Sequence, residues 1–172
     1  MATVVALLRG VNVGGRKVSM AELRETIESL GHHDVRTYIQ SGNVLFSAKG
    51  RVAPSSLERA LEERFRMKID VMIRSPRDLV QTAERNPFPD ADTSKLHVGF
   101  LARAPRSDVV KAIDASQFLP EEFAVVGSEL YLHLPNGMAR TRLPDFVLRR
   151  LKIRATIRNW NTLTKLVELS NG

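Results

Sequence analysis

The chain has 172 residues, 43% apolar and 26% charged, with no cysteine and a net charge of +7. Missing cysteines exclude disulfides, thiolate nucleophiles and cysteine metal sites, and suit a reducing cytoplasm. The first apolar run, Val4 to Leu8, is too short for a membrane span or a signal core, so the expectation is a cytoplasmic protein with no membrane partner.

Val4–Val5–Ala6–Leu7–Leu8 reads as a buried strand that ends at Arg9. Gly10, Asn12, Gly14 and Gly15 follow, with Arg16 and Lys17 behind them. Ser19 and Glu22 have the spacing of a capping box, and Leu23, Ile27 and Leu30 predict a helix that Gly31 stops. The loop therefore delivers a glycine-rich segment to a helix N-terminus, where backbone N–H groups and the macrodipole favour an anion. Gly10 and Gly15 have Walker-A spacing, but Arg16 and Val18 stand where that motif needs lysine and a hydroxyl, and G-x-G-x-x-G is absent. Glycines serving a tight strand-to-helix turn explain the segment equally well.

His32–His33–Asp34 reads as a turn. Val35 to Gln40 and Val44 to Ser47 read as strands joined through Ser41–Gly42–Asn43, a hairpin. Pro54 opens a helix faced by Leu57, Leu61 and Phe65, and Asp70 to Arg74 is a strand. The order β-α-β-β-α-β is that of a ferredoxin-like unit. A helix from Ser75–Pro76 to about Arg85 precedes the linker chemistry of residues 86–95. The pattern then returns: a strand at 96–101, a helix at 107–115, paired strands at 123–126 and 130–134, a helix at 143–151, an extended piece at 155–157 and a helix at 162–169. Gly127–Ser128–Glu129 falls where Ser41–Gly42–Asn43 fell. The expected fold is α+β, two tandem ferredoxin-like halves at 1–85 and 96–172, each with an antiparallel sheet, plus extra helices.

In that topology the first and third strands are antiparallel neighbours, so Arg9–Gly10 should lie beside Gly42–Asn43. Arg9, Gly10, Asn12, Gly14, Gly15, Lys17, Gln40, Ser41, Gly42 and Asn43 are therefore the candidate ligand-binding residues, for a small anionic or phosphorylated molecule. No nucleophile or general base stands out among them, so catalytic residues are not named.

Charge placement supplies an alternative. Residues 140–165 hold eight basic side chains and one acid, which leaves eighteen of each sign for the remainder. Arg149, Arg150, Lys152, Arg154 and Arg158 predict salt-dependent contact with nucleic-acid phosphates. A solvated basic face accounts for the same pattern, and weak binding at low salt is expected, because only Trp160 offers stacking nearby. Arg158, Asn159 and Trp160 form a secondary candidate site, with Asn159 or Asn161 capping the last helix as the structural explanation. His97 and His133 are expected on one sheet face with Tyr131, but two histidines make a poor metal site. No metal or cofactor is expected. Oligomeric state is not legible.

RGVNVGGRK at the start, RTYIQSGNVLF in the first hairpin and ATIRNWNTLTKL near the end together resemble the bacterial family called domain of unknown function 1697. The resemblance spans almost the whole chain. It implies a cytoplasmic α+β protein of two related ferredoxin-like halves, and it implies no activity.

Overall fold

The computed structural model describes residues 1–39 and 42–172. By its contacts the chain divides into two compact units: Met1–Val80 with Leu166–Gly172, and Gln81–Lys165.

In the first unit, β1 (Ala2–Leu8) leads through the glycine loop to α1 (Met20–Ser29). The Ser19 Oγ caps that helix by accepting from Glu22 N at 3.3 Å. Strands β2 (His33–Tyr38) and β3 (Asn43–Ala48) form the hairpin, and α2 (Pro54–Phe65) returns the chain to β4 (Val71–Arg74). The sheet order is β2-β3-β1-β4, antiparallel throughout, which is the ferredoxin-like arrangement. Strand β2 begins two residues earlier than expected, so His33 and Asp34 belong to it. The register shift between His33 and Arg36, with Asp34 at φ 52°, absorbs the extra turn-like residue as a bulge. Proline at the start of α2 supplies the helical φ without wasting an N–H, and Arg66 closes the helix in the left-handed region at φ 57°.

One face of this sheet, Ala6, Leu8, Val44 and Phe46, packs with Leu23 and Ile27 of α1 and Leu57 and Leu61 of α2. Residues of opposite parity are just as buried: Val5, Leu7, Leu45 and Met72 are all 2% exposed or less. Burial on both faces explains why β1 and β3 read as continuous apolar runs rather than as alternation.

Helix α3 (Pro76–Glu84) follows β4. Ser75 and Asp78 cap it reciprocally, Asp78 N donating to Ser75 Oγ at 3.0 Å and Ser75 N to Asp78 Oδ2 at 2.8 Å. The second unit repeats the plan with β5 (Leu96–Leu101), α4 (Ser107–Lys111), β6 (Glu122–Val126), β7 (Glu129–His133), α5 (Leu143–Leu151) and β8 (Ala155–Asn159), in sheet order β6-β7-β5-β8. The final helix, α6 (Trp160–Asn171), takes the place after β8 that α3 takes after β4. Two of these elements differ from the sequence reading. Helix α4 stops at Lys111 rather than near Ala115. The Asp114 side chain accepts from Ser116 N at 3.0 Å, a local bond that competes with helix propagation, and a 3-10 turn covers Ser116–Phe118. Helix α6 starts at Trp160 because Asn159 Oδ1 accepts from Thr162 N at 2.8 Å, which makes Asn159 the cap and moves the helix start two residues forward.

Leu101, Leu130, Leu132 and Leu134 pack with Leu143, Val147 and Leu151 of α5. Val98, Phe100 and Tyr131, of opposite parity, are also at most 2% exposed. Tyr131 is oriented by its hydroxyl, which donates to Thr82 O at 2.6 Å. Among the described residues, no helix is long and apolar enough to cross a membrane.

Candidate functional site

The end of β1 is where the sequence concentrates unusual residues, and it lies where topology requires. Leu7 pairs with Asn43, and Leu8 N donates to Gly42 O at 2.8 Å, so the glycine loop and the β2–β3 hairpin meet at one sheet edge. Gln40 and Ser41, named as candidates, lie outside the described residues.

The loop is a tight hairpin of its own. Val13 and Arg16 form a bridge, with Arg16 N donating to Val13 O at 3.0 Å and Asn12 N to Arg16 O at 2.6 Å. Gly14 and Gly15 between them both have positive φ, 56° and 83°, the requirement of a type I′ turn. Asn12, at φ 59°, accepts from Val18 N through its Oδ1 at 2.8 Å. This amide ties the loop to the approach to α1. Asn43 is fully buried, and its Nδ2 donates to Tyr38 O at 3.0 Å across the hairpin. Gly42 is buried too. Four of the candidates, Asn12, Gly14, Gly15 and Asn43, thus have a local structural duty, and Gly42 has a fifth through its backbone.

Cations remain at the surface of this edge. Arg9 is half-exposed, donates its backbone N–H to Asp70 O at 2.9 Å, and holds its Nη1 3.7 Å from Asp70 Oδ2. Arg16 folds back beside Gly10 and donates its Nη2 to Lys68 O. A Cβ at Gly10 would stand 3.2 Å from Arg16 Nη1, so glycine there leaves room for the guanidinium. Both guanidinium groups therefore dock on the stretch Lys68–Asp70 that enters β4, and Lys17 and Lys68 are exposed beside them. Among the described residues, four cations (Arg9, Arg16, Lys17 and Lys68) stand here against the carboxylates of Asp70 and of Glu58, whose Oε2 accepts from Val71 N at 3.0 Å, so the edge stays positive. Arg16, Lys68 and Asp70 were not among the sequence candidates. Lys68 and Asp70 lie more than fifty residues from the loop, and only the antiparallel β1–β4 pairing brings them there.

The secondary candidates have structural roles. Arg158 lies in β8, 8% exposed, with Nη1 donating to Thr156 Oγ1 at 2.6 Å and Ile157 O at 3.1 Å. Burial draws its pKa down to about 10, which still leaves it charged at neutral pH. It is thus withdrawn from the basic surface expected of residues 140–165. Asn159 is the α6 cap and Trp160 the first residue of that helix.

His97 and His133 do not share a face. In the β5–β7 ladder His97 is opposite Leu132, whereas His133 is opposite Leu96 and so on the Tyr131 side. The sequence places the two strands side by side but leaves the register open, and a one-residue difference in register reverses every side chain. His97 Nδ1 is buried with no hydrogen-bond partner among the described residues, and burial lowers the histidine's pKa. The unfolded chain therefore takes up a proton at His97 more readily than the native chain does. Stability should be fully present above the ordinary histidine value and decline as the pH falls below about 6.5. His32, lowered chiefly by burial as well, acts in the same direction. Thermal unfolding at pH 7.5 and pH 5 checks this: the acid loss of melting temperature should be smaller in His97→Gln than in the native chain. Among the described residues, no group of three or more histidine, aspartate and glutamate side chains is placed to hold a metal ion.

Comparison with known proteins yields a family and a fold. A family model described as a protein of unknown function (DUF1697) matches residues 1–131. A solved structure described as the conserved bacterial protein SP0830 from Streptococcus pneumoniae superposes with a TM-score of 0.76. It is 23% identical and covers 100% of this chain and 99% of its own. At that identity the likeness concerns the fold alone. No curated protein matches the chain.

Proposed function

The chain belongs to the family of proteins of unknown function DUF1697, and from that premise we propose that the β1 edge binds a small anionic or phosphorylated ligand. The observation that carries the reading is the docking of Arg9 and Arg16 on one short stretch, Lys68–Asp70, at the rim of a preformed turn. Two guanidinium forks held from below by backbone and carboxylate oxygens lose little side-chain entropy when an oxyanion arrives, and fork geometry suits phosphate. The Gly14–Gly15 turn leaves the approach uncluttered by side chains, since among the described residues nothing stands within 4 Å of a Cβ built on either glycine. The Asp70 carboxylate sets the resting position of Arg9, at 3.7 Å, a separation that an incoming anion exchanges for a shorter contact. The residue types gathered there hold charge rather than move protons, so the reading is binding without turnover. The cysteine-free composition suits a cytoplasmic setting, where phosphorylated metabolites are abundant.

A thermal-shift screen with inorganic phosphate, sugar phosphates and nucleotides tests the reading. A ligand of this edge should stabilise the native chain, and Arg9→Ala or Arg16→Ala should each weaken it about tenfold or more, given the roughly 1.5–3 kcal/mol of a hydrogen bond to a charged group. Lys17→Ala should cost less, because an exposed ammonium supplies only a screened point charge. An affinity indifferent to both arginine substitutions would remove the assignment.

A further inference from the structure

The second unit carries a groove of about 700 Å³ between α5 and the 3-10 turn at Ser116–Phe118. Its floor is aromatic: Phe118 and Phe146 meet edge to face, with ring centres 4.7 Å apart and an interplanar angle of 62°. Over Phe146 lies Arg150, its Cζ 3.4 Å from the ring centre, with Nη1 donating to Phe146 O at 3.0 Å. A guanidinium this close to a ring centre and hydrogen-bonded at one end is held in place, and Arg150 is exposed, so the planar cation is accessible to a ligand. Arg142 and Arg149 also line the groove and are exposed. Arg142 immediately precedes α5 and Arg149 is in its last turn, so the two stand near opposite ends of the helix, roughly 10 Å apart along it. Asp145, a pure hydrogen-bond acceptor, stands between them.

These groups differ in what they recognise. The flat cation accepts a stacked planar ring, the outer arginines accept phosphate, and the carboxylate accepts amino or imino N–H groups of a base edge. A carboxylate-rich peptide has no planar group for Arg150 and meets Asp145 with like charge. A duplex keeps its base faces within the stack. We propose that this groove binds a nucleotide unit, its base laid on Arg150 and its phosphate taken by Arg149 or Arg142. The unit is either a free nucleotide or one residue of a single strand. The site shares no residue with the β1 edge and stands independently of the function proposed there.

The test uses the full chain and fluorescence anisotropy with a labelled single-stranded RNA of about twelve nucleotides, within the span of known single-strand sites, near 0.15 M salt. AMP, GMP and polyglutamate serve as competitors. The strand should bind, Arg149→Glu should weaken it at least tenfold, Arg150→Lys should weaken it about tenfold although the charge is kept, and Arg51→Ala, an exposed arginine outside both proposed sites, should leave it unchanged. AMP or GMP binding at the same arginines without strand binding supports the free-nucleotide form, and strand binding that neither displaces supports the polymer form. The proposal is overturned if Arg150→Lys binds like the native chain, since the planar surface then has no role. It is overturned equally if polyglutamate displaces the strand as well as nucleotides do, or if neither strand nor nucleotide binds at this salt. All three substituted arginines are exposed, so unchanged melting temperatures are expected and separate binding loss from unfolding.

Discussion

Gly42→Ala is expected to destabilise the protein by about 3 kcal/mol or more, the largest effect of any single methyl addition in the first unit. Gly42 sits at φ 87°, where a side chain adds about 1–2 kcal/mol of backbone strain. Its Cβ would stand 2.8 Å from Leu8 Cβ and 3.3 Å from Leu8 O, against a residue with no exposed surface. Neither Leu8 atom is the end of a flexible chain, and overpacking of this kind costs a further 1–3 kcal/mol. The backbone cannot retreat cheaply, because Gly42 O accepts from Leu8 N at 2.8 Å and Asn43 is buried next to it. Gly14→Ala is the control. It has positive φ but open space around a built Cβ, and should cost only about 1 kcal/mol. Urea unfolding of the two variants separates the terms; equal losses would show that the close approach to Leu8 contributes nothing.

Arg158→Ala is expected to cost about 3 kcal/mol of stability, and an exposed arginine of the same basic segment, Arg149→Ala, less than 0.5 kcal/mol. The contrast follows from burial. Arg158 fills space inside the second unit and satisfies buried Thr156 Oγ1 and part-buried Ile157 O, so truncation leaves a void and removes the donor of both. Arg158→Lys should fall between, at about 2 kcal/mol, since an ammonium keeps the charge but fills less of the buried space than the planar guanidinium. Arg158→Met fills the volume without a charge to desolvate, and should recover part of the loss seen in alanine. Chemical denaturation measures all four. Anion affinity should be unaffected in any Arg158 variant that still folds, because Arg158 is 8% exposed and is not part of the proposed β1 site.

Local chemistry made much of the fold legible. Ser19 and Ser75 cap helices through bonds that span three residues, so their roles follow from spacing, whereas the last helix offered Asn159 or Asn161 and the structure selects Asn159. Element order then restricts topology. A β-α-β-β-α-β chain has one common antiparallel solution, which is why the meeting of Arg9–Gly10 with Gly42–Asn43 follows from sequence although the two segments are some thirty residues apart. Adjacent Gly14 and Gly15 mark a tight turn by residue type, and the structure makes it a type I′ turn with both at positive φ.

Register, burial and remote pairing were decided by tertiary structure. Whether His97 and His133 share a face depends on a single residue of offset between β5 and β7, and apolar runs buried on both faces carry no alternation from which to read it. Arg158 is indistinguishable in sequence from the exposed arginines before it, because a long side chain is buried or solvated according to what packs over its strand. Asn43 looks like a ligand amide beside a glycine, but its burial and its bond to Tyr38 O across the hairpin are visible only in the structure. Arg16 and Arg9 are recognisable as cations, but the oxygens that hold them belong to Lys68 and Asp70, delivered by the pairing of β4 with β1. Periodicity and capping act over one turn of chain, whereas the position of a charged side chain is fixed by whichever distant strand the sheet places beside it.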